Sequence, residues 1–176
     1  MITGDYSETA RHIGNTIGLS KGLVITGAEL KGMSDKVLQE KLPRVQIFAR
    51  VVPEQKLRII QAFQASGAVV GMTGDGVNDA AALAQSDLSI AMGTGTDTAI
   101  STADITIMRP ALLGIIDALE LAEKTLSTIK ANLTWAFLYN VIGIPVAALG
   151  LMNPMYAAAA MAVSSLFVVT NSLRIR

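Results

Sequence analysis

The chain has 176 residues with 14 acidic and 14 basic side chains, so it is neutral overall and long enough for one domain of ordinary size. It contains no cysteine, which excludes disulfides and thiolate metal sites within it. It has no basic patch, which argues against nucleic acid as a partner.

The charges are unevenly spread. All 14 acids precede residue 129, and only Lys130, Arg174 and Arg176 are basic beyond it. This pattern predicts an acidic, soluble head (residues 1–112), a linking helix (113–130) and a neutral, apolar tail (131–176). Met1 opens straight into Ile-Thr-Gly-Asp, with no signal-peptide pattern ahead of it.

In chain order, residues 1–3 read as the end of a strand and Thr3-Gly4-Asp5 as a turn. Ser7 is the expected cap of a helix to about Ile17, stopped by Gly18. Ser34 caps a short helix to about Leu42, and Val45–Ala49 is a strand candidate. Pro53 opens a helix to about Ala65. Residues 69–72 are the next strand, and a helix starts over 78–84. Leu88–Met92 and residues 105–108 are further short apolar strands. Alternating strands and helices predict an α/β domain with a parallel sheet. Ligands bind such sheets beyond the carboxyl ends of the strands. From Ala111 to Lys130 an amphipathic helix leads towards the tail.

Residues 73–79, Thr-Gly-Asp-Gly-Val-Asn-Asp, are the most informative segment. A short apolar strand feeds a turn with two carboxylates four residues apart, Asp75 and Asp79. Hard cations such as Mg²⁺ favour carboxylate oxygens. Gly74 and Gly76 let the backbone turn beside the acids. The Asn78 amide can hold a carboxylate or a phosphate oxygen. The bland alternative is a strand–turn–helix connection with solvated acids. Lys56, after Val-Pro-Glu-Gln, could hold phosphate as a point charge or could simply be a surface lysine. Gly93-Thr94-Gly95-Thr96-Asp97 is a second glycine-rich turn, with a capped loop and a functional role equally open. His12 has no second ligand nearby in sequence and reads as a surface residue.

No Asp, Glu, Lys, Arg or His occurs between Ala131 and Leu173. A bilayer core of ~30 Å needs ~20 apolar helical residues, so two spans fit. They read as residues 132–151 and 154–173, turning at Met152-Asn153. Lys130, Arg174 and Arg176 then share one side, cytoplasmic by the positive-inside tendency. Trp135 suits an interface, and the run Ala157-Ala158-Ala159-Ala160 allows close helix approach. Pro145 frees a carbonyl and should kink or thin the first span. Polar groups are few: Thr134, Tyr139, Asn140, Ser164, Ser165, Thr170 and Asn171, with the Met161 thioether. Such groups in lipid are packing glue or mark a pathway.

Together, Thr3-Gly4-Asp5, Pro53-Glu54-Gln55-Lys56, residues 73–79 with Ala80-Ala81-Ala82-Leu83, and residues 91–97 resemble the P-type ATPases. That resemblance covers essentially the whole chain. It implies part of a haloacid-dehalogenase-like (Rossmann-like) phosphorylation domain, followed by a two-helix transmembrane hairpin. It also implies that Asp75 and Asp79 help to place Mg²⁺. Thr3 and Lys56 would hold the transferred phosphoryl group, with Asn78 beside them. Thr3, Gly4 and Asp5 would contact nucleotide or phosphate. Phosphoryl transfer needs positioning and charge neutralisation more than covalent help.

The two-helix tail resembles the heavy-metal branch, where calcium-pump-like members carry six helices. Tyr139-Asn140 and Met161-Ala162-Val163-Ser164-Ser165 are similar to the copper-type pattern, and Asn171 fits it. Tyr139, Asn140, Met161 and Ser165 are therefore expected on the path of the transported ion, Cu(I) or a similar soft cation. Zinc-type members carry a lysine and an acid in these helices, and neither is present. The chain also departs from the family. The phosphorylated aspartate of the Asp-Lys-Thr-Gly-Thr motif is absent, since Asp35-Lys36 is followed by Val37. The nucleotide-binding domain and six earlier helices with their Cys-Pro-Cys site are absent too. Residues 25–50 are longer than the branch leads one to expect, and Ala81 replaces a usual proline.

The expectation is therefore the carboxy-terminal part of an ATP-driven heavy-metal pump, inactive alone. It would work with Mg²⁺, with ATP bound by the absent domain, with membrane lipid, and with the amino-terminal remainder of the pump. It would be a multi-pass protein of the plasma (inner) membrane with its head cytoplasmic. One alternative is a membrane-anchored phosphatase of the same fold, though no Asp-x-Asp strand opens the chain. The other is a non-catalytic membrane module that binds or regulates a full-length pump.

Overall fold

The computed structural model describes residues 1–108 and 112–175. The expected helix start at Ala111 and the basic residue Arg176 lie outside them. The chain divides into two compact units, Met1–Ala111 and Leu112–Arg176.

The first unit alternates helices and parallel strands. Its elements are α1 (Ser7–Thr16), β1 (Leu23–Thr26), α2 (Gly27–Gly32), α3 (Asp35–Lys41), β2 (Val45–Ala49), α4 (Pro53–Ala65), β3 (Gly71–Gly74), α5 (Ala80–Gln85), β4 (Leu88–Met92), α6 (Asp97–Thr102) and β5 (Ile105–Ile107). The strands form two separate parallel sheets, β1–β2 and β3–β4–β5. Ile2 adds a parallel bridge to Phe48 on the first sheet. In the described pairings, residues 1–3 and β3 each keep one unpaired side.

Helix α4 serves both sheets. Ile59 and Ala62 bury with Ile25, Leu30, Leu38 and Phe48, while the adjacent Ile60 buries with Met72, Ala82, Leu83 and Ala99. Leu30, Leu38, Ile59 and Leu83 are fully buried. Each such side chain contributes about 2 kcal/mol of apolar transfer.

Several expected elements form as read, including Val45–Ala49, Pro53–Ala65 and Leu88–Met92. Ser34 caps α3 by accepting from the Val37 N–H. Gly18 has φ +86°, a conformation that ends α1 at little steric cost. Ser7, in contrast, is the first helical residue rather than the cap. Tyr6 holds the cap position without a side-chain bond, and its ring lies 4.3 Å beneath the Arg50 guanidinium. The strand expected over residues 69–72 lies two residues later. The Asp87 carboxylate accepts the Val70 N–H, and Val70 C=O accepts from Asp87 and Leu88, so residue 70 is tied to the turn before β4. The helix expected from residue 78 begins as a 3₁₀ turn, Val77–Asp79, and becomes α-helical at Ala80.

β1 and α2 were not foreseen, although Leu23-Val24-Ile25 and the pair Thr26/Glu29 carry the signal. Thr26 and Glu29 form a reciprocal capping box.

In the second unit, α7 (Leu113–Ala148) runs unbroken through the expected linking helix and most of the first span, stopping three residues short of the expected end at residue 151. Pro145 sits inside it near its end. The second helix, α8 (Pro154–Ser172), starts where Asn153 Oδ1 accepts the Met155 N–H. Both helices are long and apolar enough to cross a membrane. The hairpin is held by a polar chain at its base: Asn171 Nδ2 donates to Asn132 Oδ1 at 2.8 Å, and Asn132 Nδ2 donates to Ser172 Oγ at 2.9 Å. One turn further in, the Trp135 and Phe167 rings lie 5.0 Å apart.

Two measurements follow from these contacts. Asp104 is held below the ordinary carboxylate range because the Ser89 N–H and then its hydroxyl donate to it. A carboxyl depressed in the folded state stabilises above its unfolded pKa, and that stability is lost as pH falls through the folded value. The urea midpoint of the full chain in detergent should drop as pH is lowered from about 5 to about 2, and Asp104→Asn should flatten that drop. A profile unchanged in Asp104→Asn counts against the assignment. Separately, Asn171→Leu removes an interhelical amide bond and should lower hairpin stability by ~1 kcal/mol, read from SDS-induced unfolding of α7–α8.

Candidate functional site

The site assembles at the carboxyl end of β3. Met72 buries into the core and Gly74 ends the strand, so the next residues turn out beyond the sheet edge. Asp75 emerges exposed, while Asp79 folds back and is buried. Gly74 makes that possible: a Cβ there would lie 2.7 Å from Asp79 Cβ and 3.0 Å from its Cγ. Val77–Asp79 form one 3₁₀ turn, closed by the Asp79 N–H donating to Gly76 C=O. Asn78 sits exposed on that turn, and its amide makes no hydrogen bond among those described.

Lys56 arrives from α4. Pro53 occupies the first turn, where its missing N–H costs nothing. Gln55 then fixes the helix start in two ways. Its Oε1 accepts the Val52 N–H, and its Nε2 donates to Gly27 C=O at 2.7 Å. One residue on, Lys56 Nζ meets Asp79 Oδ1 at 2.5 Å, with both side chains largely shielded from solvent. Breaking one partner of such a pair strands a charge away from water.

Thr3, Gly4 and Asp5 lie at the carboxyl end of the other sheet. Thr3 Oγ1 donates to Asp5 Oδ2 at 2.9 Å and accepts the Asp5 N–H. The Thr3 N–H bonds Phe48 C=O, and Asp5 C=O accepts from Arg50, whose φ of 53° is unusual for a non-glycine residue. No described hydrogen bond joins Thr3 or Asp5 to Lys56, Asp75, Asn78 or Asp79.

Two carboxylates at one turn match the way Mg²⁺ is commonly held, by one or two acids completed by water and phosphate oxygens. Among the described residues there is no group of three or more His, Cys, Asp or Glu that would make a cage from protein alone. The residues present therefore fit Mg²⁺ shared with a phosphate.

In the second unit, Tyr139 is half-buried, and its hydroxyl donates to Ala157 C=O at 3.3 Å. The Asn140 amide donates to its own helix at Ala136 C=O. Met161 and Ser165 are exposed, one turn apart on α8. No described hydrogen bond joins any two of these four residues.

A family described as haloacid dehalogenase-like hydrolase matches residues 1–87, and a second with the same description matches residues 56–119. Over all 176 residues the chain is 47% identical to the probable copper-exporting P-type ATPase V of Mycobacterium tuberculosis. It is 45% identical, over 98% of its length, to the probable copper-importing P-type ATPase A of Enterococcus hirae. Along its whole length the chain is similar to a fragment of the heavy-metal P-type ATPases. Its fold agrees: the crystal structure of a zinc-transporting PIB-type ATPase in the E2.Pi state matches 99% of the chain with TM-score 0.77 and 28% identity, using 24% of that protein. The chain spans about a fifth of the length of these curated P-type ATPase relatives, 20% of the first and 21% of the second.

Gln55 was not singled out from the sequence as a site-building residue, and Gly74 was read as allowing a turn beside the acids rather than as admitting Asp79 against the strand end. The available signal was their neighbours: a glutamine three residues after a helix cap reaches back to it, and a glycine at a strand end allows close approach.

If Gly74 serves to admit Asp79, Gly74→Ala should dislodge the carboxylate and cost ~1–3 kcal/mol by overpacking. In a Lys56→Met background, where the ion pair is already gone, that cost should shrink in a double-mutant cycle read by urea denaturation. Strict additivity would show that Gly74 acts elsewhere.

Proposed function

We propose that this chain supplies the Mg²⁺- and phosphate-handling face, and two membrane helices, of an ATP-driven heavy-metal cation pump. The observation that carries the proposal is the pairing of Lys56 with Asp79 beside the exposed Asp75, at the carboxyl end of one parallel strand. Asp75 and Asp79 would ligate Mg²⁺, which neutralises charge on the phosphoryl oxygens when bound. The Lys56 ammonium already holds the Asp79 carboxylate and would turn to the phosphoryl group as a point charge. Thr3 and Asn78 would add hydrogen bonds, and Gly4 and Asp5 would meet nucleotide or phosphate.

These 176 residues hold no Asp-Lys-Thr-Gly-Thr segment, so the phosphorylated aspartate would come from another part of the pump. The unpaired sides of residues 1–3 and of β3 leave two parallel strand edges available for the strand that carries it. Alone, the chain would not turn over ATP. The head (residues 1–112) would be cytoplasmic, with residues 113–130 leading into a hairpin in the plasma (inner) membrane.

Copper is the proposed cargo. Copper-pump relatives of the chain are 42–51% identical to it, and the zinc-transporting structure is 28% identical. The hairpin has no charged residue between Ala131 and Leu173 and offers a thioether, an amide, a phenol and a hydroxyl. Soft Cu(I) suits the thioether of Met161. Asn140, Met161 and Ser165 are exposed on the isolated hairpin, where earlier helices of the pump would meet them.

A reconstituted pump carrying this segment should show Mg²⁺-dependent ATP hydrolysis stimulated by Cu(I) and not by Zn²⁺. Asp75→Ala should lower it by at least about a hundredfold, the scale for losing a preorganised charge-stabilising group. Zn²⁺ stimulation with no Cu(I) effect would overturn the cargo. Full activity in Asp75→Ala would overturn the Mg²⁺ role and favour a non-catalytic module that regulates another pump.

A further inference from the structure

The Asp75 carboxylate is exposed and makes no hydrogen bond among those described, and Gly74 and Gly76 flank it. Gly74 before it is held in the β3–β4 ladder opposite Ala91, but Gly76 leaves the chain just beyond residue 75 with little intrinsic stiffness. A Mg²⁺ ligand needs the reverse, because Mg²⁺ demands near-ideal octahedral geometry. Something outside the turn must hold it.

The loop after β4 does so. Gly95 donates its N–H to Met92 C=O at 2.8 Å, and the Thr96 N–H donates to Asp75 C=O at 2.8 Å. A Cβ at Gly95 would lie 2.8 Å from Asp75 O, 2.9 Å from Met92 O and 3.1 Å from Asp75 Cα. All three are backbone atoms, so no flexible side-chain tip could yield. Thr96 also starts α6, accepting the Ala99 N–H on its Oγ1. Ala99 is fully buried in the same cluster as Ile60 and Met72. The loop is thereby anchored to the core that carries both β3 and the inner face of α4.

We propose that Gly95 and Thr96 are positioning residues: they clamp the Asp75 backbone by direct contact and thereby aim its carboxylate at the cation. The proposal rests on the reading of Asp75 as a Mg²⁺ ligand. It assigns the second glycine-rich turn a role that its sequence leaves open, one exercised entirely through backbone atoms.

The test uses the full-length pump containing this segment. Gly95→Ala should raise the Mg²⁺ concentration for half-maximal ATP hydrolysis by about 10–100-fold, the usual effect of losing support behind a metal ligand, while the KM for ATP stays within about twofold. Asp75→Ala is measured alongside. If Asp75→Ala leaves the Mg²⁺ requirement unchanged, the Mg²⁺ reading itself falls, and the clamp with it. If Asp75→Ala shifts the requirement and a folded Gly95→Ala does not, the clamp alone is overturned. A readout on the unmodified protein covers a Gly95→Ala that fails to fold. Adding Mg²⁺ should slow amide hydrogen exchange in the peptide spanning residues 94–97, because the Thr96 N–H bonds the backbone of the ligand. Exchange there that ignores Mg²⁺ would overturn the clamp.

Discussion

The contact between the Lys56 ammonium and the Asp79 carboxylate links the helix beneath both sheets to the turn that carries the acids. Helix α4 can make that contact because its two faces serve two cores. Ile59 packs with the β1–β2 side and Ile60 with the β3 side. Its first turn is fixed by Pro53 and by Gln55, which grips Gly27 C=O at the end of β1. The ammonium thus inherits its position from both sheets. Removing a charged pair from water is costly, and such a pair persists where geometry matters more than net stability.

The acid turn is built from close approaches of backbone. Gly74 lets Asp79 fold against the strand end, and Gly95 lets a neighbouring loop press on Asp75. The two acids therefore differ in environment. Asp79 is buried and paired, whereas Asp75 is exposed and held only through its main chain. In the proposed function this difference is useful. A paired acid resists displacement, and an open one can take its share of a hydrated cation.

The helical hairpin follows another rule, because in a bilayer its apolar faces would not drive helix pairing. Asn132, Asn171 and Ser172 form a polar chain at the hairpin base, and Tyr139 reaches a backbone carbonyl of the other helix. The Asn140 amide turns back to its own helix, while Met161 and Ser165 stay exposed. The same hairpin thus separates groups that hold it together from groups left open to other partners.

Local chemistry was legible from the sequence. Proline at residue 53, serine at residue 34 and glycine at residue 18 announced helix ends that the fold keeps, because caps and φ preferences depend on a few adjacent residues. The charge-free run from Ala131 to Leu173 announced two helices long and apolar enough to cross a membrane. The acidic heptapeptide, with its companion motifs, announced the resemblance to the P-type ATPases. The tertiary structure decided what depends on partners far along the chain. Tyr6 displaced Ser7 as the cap beneath Arg50, and Asp87 drew residue 70 out of the β3 ladder. The grip of Gln55 on Gly27, the fold-back of Asp79 onto Lys56 and the approach of Gly95 to Asp75 join residues 28, 23 and 20 positions apart. Such contacts leave no periodic trace in a sequence, because they are set by how sheets and helices stack rather than by neighbouring side chains.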